Sequence, residues 1–231
     1  MAEGTPAGRP RVGVVTFPGS CDDRDALRAA GICGAEGVPI WHGDATLPDV
    51  DAVVVPGGFS YGDYLRPGAL ARFSPAMAAI RSFAEAGGPV LGICNGFQIL
   101  CEAGLLPGVL TPNHGGRFVC RDVELVVERP SPWTGDRPPG DVLRVPVKHH
   151  DGAWYAPEPE RRRLEAGGQV LLRYVDDVNG AADAVAGVTN ERGNVFGLMP
   201  HPEHAVEALL GGTDGRLIFA GLLRAATARA A

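Results

Sequence analysis

The chain has 231 residues, 45% of them hydrophobic, and a formal net charge of −6. This length can bury a substantial core, while dispersed glycines and prolines exclude a collagen-like repeat. No apolar run approaches the roughly 20 residues of a membrane span, so we expect no membrane partner. The sequence also lacks the basic stripe typical of nucleic-acid binding, so we expect no nucleic-acid partner.

The first hundred residues alternate predicted strands with predicted helices. The strands fall at residues 11–17, 38–42, 50–55 and 88–92, and the helices at 22–30, 74–86 and 97–103. Because such alternation is typical of parallel strands joined by right-handed crossovers, we predict an α/β fold with a mostly parallel central sheet flanked by helices.

The second half changes pattern. Strands are predicted at 120–127, 142–147, 169–174, 184–188 and 195–199, followed by a helix at 214–228. They are separated by polar turns, so we expect an added antiparallel β portion in the C-terminal half, with a small second β layer. The arginine run at 161–163 is interpreted as a solvated loop or helix face. Residues 1–10 are predicted to be a disordered tail and 11–231 a single domain.

Five scattered cysteines without a C-x-x-C pair argue against zinc-ribbon and thioredoxin sites, and we predict no metal site. An odd count without a secretory h-region indicates reduced thiols and a cytoplasmic location.

One of these cysteines, Cys94, lies in a G-x-C-x-G sequence at residues 92–96, between a predicted strand and a predicted helix. This pattern is typical of a nucleophile elbow, in which glycines relieve crowding around a strained residue. Lowering the thiol pKa by two units requires about 2.7 kcal/mol, more than the roughly 2 kcal/mol that a helix end supplies at most. We therefore expect a second, cationic or basic partner, unless Cys94 is a buried structural cysteine.

The candidate partner is His201, which stands between two prolines and two residues before Glu203. The prolines favour an extended segment, in which residues i and i+2 point to the same side. A carboxylate bound to one imidazole nitrogen leaves the other free to accept a proton, which completes a Cys-His-Glu triad. The alternative is a surface histidine beside a glutamate at a helix start.

The Gly57-Gly58 pair follows the third predicted strand. A tetrahedral oxyanion requires two N–H donors, and the N–H groups of Gly58 and Asn95 are the candidate pair. The alternative is a simple tight turn at the end of a strand.

In chain order, these motifs resemble those of the triad-type, or class I, glutamine amidotransferases, whose fold is flavodoxin-like. They are most similar to the glutaminase subunits of phosphoribosylformylglycinamidine synthase. The matching stretches are P-G-G-F-S-Y-G-D-Y-L-R at 56–66, L-G-I-C-N-G-F-Q-I-L at 91–100, T-N-E-R-G-N-V at 189–195 and M-P-H-P-E at 199–203. F-P-G-S at 17–20 and L-G-G-T-D-G at 210–215 match as well.

The resemblance implies that Cys94 is the nucleophile, His201 the base and Glu203 its orienting carboxylate. It also implies substrate-binding roles for Gly57, Gln98 and His149. The implied reaction is hydrolysis of glutamine to glutamate through a cysteinyl thioester. The ammonia passes to a synthetase that makes formylglycinamidine ribonucleotide in purine biosynthesis.

The implied partners are glutamine, a large synthetase subunit, and with it a small bridging subunit. No cofactor is expected in this chain, because ATP and Mg²⁺ are used by the synthetase.

Three stretches depart from the family pattern: residues 21–25, His150 and His204. Two alternatives to the family function stay open. One is another enzyme with the same triad, such as a cysteine peptidase or a glutaminase that serves a different synthetase. The other is a structural subunit that has kept the fold without activity.

Overall fold

The computed structural model describes residues 8–230, with side chains as far as residue 228. Most of the predicted N-terminal tail therefore lies outside the described residues. The strands are β1 Arg11–Thr16, β2 Glu36–Trp41, β3 Ala52–Val55, β4 Val90–Ile93, β5 Val109–Thr111, β6 Val119–Val127, β7 Val142–His149, β8 Ala153–Tyr155, β9 Val170–Tyr174, β10 Val185–Thr189 and β11 Val195–Leu198. The helices are α1 Asp23–Ile32, α2 Pro75–Glu85, α3 Asn95–Glu102, α4 Glu158–Ala166 and α5 Arg216–Ala230.

Nine of these strands form one sheet in the order β2-β1-β3-β4-β11-β10-β9-β6-β7. The strands from β2 to β11 pair in parallel, and those from β11 to β7 pair antiparallel. The predicted fold class is therefore confirmed, including the antiparallel portion. A second, two-stranded sheet is formed by β5 and β8.

The parallel strands follow from their composition. β3 and β4 are short, apolar and fully buried, as expected for strands covered on both faces. Helix α2 begins where Ser74 accepts a hydrogen bond from the Met77 N–H at 3.3 Å and Pro75 occupies the first helical position.

The sequence prediction contained neither β5 and β8 nor α4 as a defined helix. The two strands have three residues each, too few to show an alternating pattern. Helix α4 buries only Leu164, so it has almost no apolar periodicity. It contains the arginine run of residues 161–163, which resolves that prediction in favour of a helix face.

Strands β1, β3, β4 and β11 are parallel, so their carboxyl ends meet at one edge of the sheet. In open α/β sheets this edge is where ligands bind. One cluster of buried side chains underlies both halves of the sheet. The single-domain organisation stays a prediction. None of the described helices is long and apolar enough to cross a membrane.

Candidate active site

Cys94 lies immediately after β4, with φ 51° and ψ −107°, a conformation that non-glycine residues rarely adopt. Such strain costs about 1–3 kcal/mol and persists where the surroundings enforce it. Here the Cys94 N–H donates to the Leu198 carbonyl at 2.8 Å. A Cβ on Gly96 would lie 1.8 Å from the Val55 carbonyl oxygen, and one on Gly92 would lie 2.5 Å from Leu100 Cδ1. The structure thus has the geometry of a nucleophile elbow.

The Cys94 side chain is 6% exposed and stands at the start of α3, where free backbone N–H groups favour negative charge. Its Sγ lies 3.7 Å from the Lys148 carbonyl oxygen, so the elbow contacts strand β7. The sulfur therefore lies between the parallel and antiparallel halves of the sheet.

His201 lies three residues beyond β11, and its ring is completely buried. Its backbone N–H donates to the Pro146 carbonyl at 2.8 Å, and its Nδ1 lies 2.5 Å from Glu203 Oε1. The expectation of an extended segment is wrong beyond His201, because Pro202–His204 forms a 3₁₀ turn. The turn still brings the imidazole and the carboxylate together, since it folds Glu203 back toward the ring.

Two opposing effects act on the pKa of His201. Burial lowers it, but the Glu203 carboxylate, and next the charge on Cys94, outweigh that effect and raise the pKa above its ordinary value. At neutral pH the ring is therefore protonated. Among the described residues, the His201 Nε2 has no hydrogen-bond partner. The charge on Cys94 nevertheless acts on the ring.

Gly57 and Gly58 follow β3, and Gly57 lies against the His201 ring. Gly58 has φ 148°, and a Cβ there would lie 2.6 Å from the Gly19 carbonyl oxygen. In the β-bridge between Ser20 and Gly58, the Phe59 N–H donates to the Gly19 carbonyl and the Cys21 N–H donates to the Gly57 carbonyl. The Gly58 N–H takes part in neither of these two hydrogen bonds.

The side chain of Asn95 ties the following loop to the elbow. Its Oδ1 accepts from the Ser60 N–H at 3.0 Å, and its Nδ2 donates to Gln98 Oε1 at 2.8 Å. The assignment of the backbone N–H groups of Gly58 and Asn95 as oxyanion donors stays a prediction.

The three predicted substrate-binding residues are all buried at this edge. Gly57 makes room for the site, because a Cβ there would lie 2.4 Å from Asp22 Oδ2 and 2.8 Å from His201 Cε1. Gln98 Nε2 donates to the Asp151 carbonyl at 2.6 Å, so Gln98 also anchors the loop after β7.

His149 Nδ1 donates to Asn113 Oδ1 at 2.9 Å. Burial, and next the charge on His201, lower the pKa of His149 to about 4, so this ring is neutral at pH 7. Its buried Nε2 has no hydrogen-bond partner among the described residues. The substrate roles of Gly57, Gln98 and His149 stay predictions.

Sequence reasoning missed two charged residues beside the triad, Asp22 and Lys148. Asp22 is 2% exposed, and its Oδ2 lies 3.6 Å from His201 Nδ1. Its Oδ1 accepts from Lys148 Nζ at 2.5 Å and from His204 Nε2 at 3.3 Å. Asp22 lies in the stretch 21–25 that departs from the family pattern, but its acidic run fits the first turn of α1 equally well.

Four side chains here have the composition of a metal site. Single ligand atoms of Asp22, His201, Glu203 and His204 lie within 4.8 Å of one another. The Lys148 ammonium already neutralises Asp22, and Glu203 already engages His201 Nδ1. Hydrogen bonding thus accounts for the cluster without an ion, and the absence of a metal stays a prediction.

Comparison with protein families matches residues 9–211 to the CobB/CobQ-like glutamine amidotransferase domain. A phosphoribosylformylglycinamidine synthase subunit PurQ from Rubrobacter xylanophilus is 56% identical over 217 residues, which cover 94% of this chain and 99% of that protein. The PurQ protein of the same name from Mycobacterium bovis is 58% identical and covers 90% of this chain and 93% of that protein.

Among solved structures, PurLQS from Thermotoga maritima includes a chain that matches with a TM-score of 0.87 and 46% identity. The match covers 94% of this chain and 98% of that one. A putative GMP synthase component from Thermoplasma acidophilum, 16% identical with a TM-score of 0.66, shares the fold; the match covers 96% of this chain and 97% of that one.

Proposed function

This chain belongs to the family of phosphoribosylformylglycinamidine synthase PurQ subunits, within the CobB/CobQ-like glutamine amidotransferases, and we propose that Cys94, His201 and Glu203 perform its glutaminase reaction. The resemblance inferred from the sequence motifs is thereby confirmed. The chain is a glutaminase subunit that hydrolyses glutamine and supplies ammonia to a synthetase. The observation that supports the residue assignment is that His201, hydrogen-bonded to Glu203 and buried at the carboxyl edge of the parallel strands, is also acted on by the charge of Cys94.

The raised pKa of His201 indicates that the site rests with a protonated imidazole beside the sulfur. The Cys94 thiolate attacks the carboxamide carbon of glutamine and forms a tetrahedral oxyanion. The N–H groups of Gly58 and Asn95 stabilise that charge. Collapse breaks the C–N bond, and the His201 imidazolium gives its proton to the departing nitrogen, which leaves as ammonia.

The second half of the reaction uses water. The neutral His201 takes a proton from the water molecule as it attacks the thioester carbonyl. A second tetrahedral oxyanion collapses, glutamate leaves, and the thiolate–imidazolium pair is restored. Glu203 holds the ring through Nδ1 in both halves, so Nε2 performs both proton transfers.

The partners follow from the family. We place a large synthetase subunit, together with a small bridging subunit, in the same complex, where the synthetase uses ATP and Mg²⁺ to convert formylglycinamide ribonucleotide. No cofactor is assigned to this chain. We also place it in the cytoplasm, which the five unpaired cysteines support because a reducing compartment keeps thiols free.

The assignment of the nucleophile is tested with Cys94→Ala in the reconstituted complex. We expect glutamine-dependent synthesis to disappear while synthesis from added ammonia continues, because the synthetase needs only the nitrogen source. Cys101→Ala, two helical turns further along α3, is the matched control and should retain both activities. Loss of ammonia-dependent synthesis in Cys94→Ala would instead identify the residue as structural.

A further inference from the structure

The base His201 faces two carboxylates. Glu203 bonds its Nδ1 directly, while Asp22 approaches the same nitrogen at 3.6 Å from the loop after β1. The Asp22 backbone is held as well, because its N–H donates to the Gly57 carbonyl at 3.2 Å. The second carboxylate is therefore fixed by both its main chain and its side chain.

Lys148 connects this carboxylate to the nucleophile. Its ammonium bonds Asp22 Oδ1 at 2.5 Å, and its backbone carbonyl accepts the Cys94 sulfur contact at 3.7 Å. One residue of β7 thus contacts both the partner of the base and the nucleophile. The side chain of Lys148 is one-third exposed, whereas that of Asp22 is 3% exposed.

The close approach depends on Gly57. Any Cβ at that position would overlap the Asp22 carboxylate and the His201 ring. Burying an ion pair is weak support for stability, because desolvation offsets most of the attraction between the charges. The position of this pair, against the base and the nucleophile, indicates a role in the reaction.

We propose that Asp22 and Lys148 are positioning residues for the glutaminase reaction. Asp22 acts as a second carboxylate for the His201 imidazolium. Lys148 holds the Asp22 carboxylate at its distance from the ring and offsets part of its charge. This proposal rests on the function proposed above. It extends the triad by two residues, from the loop after β1 and from strand β7.

The charges that act on His201 give the two residues opposite effects. Negative charge beside the ring comes from Glu203, Cys94 and Asp22. Positive charge from Lys148 and, when protonated, His204 lies against Asp22, and His149 is neutral. Removing the charge of Asp22 destabilises the imidazolium, so the ring loses its proton at lower pH. Removing the charge of Lys148 leaves Asp22 unopposed, so the ring keeps its proton to higher pH.

The test measures kcat/KM for glutamine against pH in the reconstituted complex. The alkaline limb of this profile reports the loss of the imidazolium proton. We expect Asp22→Asn to move that limb to lower pH by about one unit, and Lys148→Met to move it to higher pH, since a neighbouring charge shifts a pKa by about 1–3 units. Lys148→Arg should restore the wild-type limb.

The matched control is the exposed pair of Asp122 and Arg144, which joins β6 to β7 at 2.9 Å. Asp122→Asn and Arg144→Met should leave the limb in place. The urea unfolding midpoint of each variant, and its co-elution with the synthetase on size exclusion, show that it folds and assembles.

A uniform loss of activity at all pH values, or shifts of the same sign in both variants, would overturn the proposal. Failure of the proposed function is distinguishable, because the wild type would then show no glutamine-dependent activity to profile.

Discussion

Among the glycines of the site, Gly96 is the one at which an added methyl group should displace the backbone most. It is the second residue of α3 and follows Asn95, whose N–H we assign to the oxyanion. In Gly96→Ala the new Cβ would lie 1.8 Å from the Val55 carbonyl oxygen, whereas real Cβ contacts stay above 3.0 Å. Helix α3 and strand β3 must therefore separate by about 1.2 Å, the difference between these two distances.

The cost of this separation can be bounded. Overpacking of this kind costs about 1–3 kcal/mol, and here the contact is with backbone, which yields less than a side chain. Alanine is favoured over glycine within helices by at most about 1 kcal/mol, so the balance is a net loss of stability. A displacement of about 1 Å at the reacting groups lowers the rate on the order of 100-fold.

Gly31 provides the matched substitution. It lies near the end of α1, is exposed, and a Cβ there would meet nothing within 4 Å. Gly31→Ala should leave glutaminase kcat unchanged and raise the free energy of unfolding by up to about 1 kcal/mol. The assays are urea unfolding and glutamine-dependent synthesis, with ammonia-dependent synthesis as a control. Wild-type kcat in Gly96→Ala would show that α3 and β3 accommodate the methyl group without moving the site.

Two further predictions concern stability. Ser74→Ala removes the hydrogen bond to the Met77 N–H that caps α2 and should lower the free energy of unfolding by about 0.5–2 kcal/mol; an unchanged urea midpoint would contradict this role. Burial, and next the charge of Asp151, raise the pKa of Asp63 from 3.8 to about 6. Because the folded-state value lies above the unfolded one, this carboxyl contributes stability below about pH 4 that is lost as pH rises through 6. Between these pH values, the unfolding free energy of Asp63→Asn should therefore fall less steeply than that of the wild type in urea titrations. The same slope in both proteins would rule out this contribution.

The parallel half of the fold could be predicted from the sequence because its strands are continuous apolar runs. Residues 52–55 are Ala-Val-Val-Val, and they form a strand with every residue buried. Helix α4 gave no comparable signal, since a helix that covers the core with one leucine has the composition of a charged loop. Strands β5 and β8 depend on each other across more than 40 residues, which no local pattern records.

The triad was found because each member lies in a short motif with its own local geometry. The elbow glycines and the prolines around His201 restrict the backbone whatever surrounds them. Asp22 and Lys148 have no such motif, and 126 positions separate them. Their pairing exists only once β7 has joined the sheet, so only the structure could reveal it.

The base His201 lies three residues beyond β11, so the strand that completes the sheet also brings the base into the site. This strand is the last of the described strands in chain order, yet it lies near the centre of the sheet, between β4 and β10. During synthesis, Cys94 leaves the ribosome about a hundred residues before His201 does. A nascent or prematurely terminated chain therefore holds a thiol without its base and has a gap in the middle of its sheet. A chain that ends before β11 therefore cannot perform the glutaminase reaction proposed for Cys94 and His201.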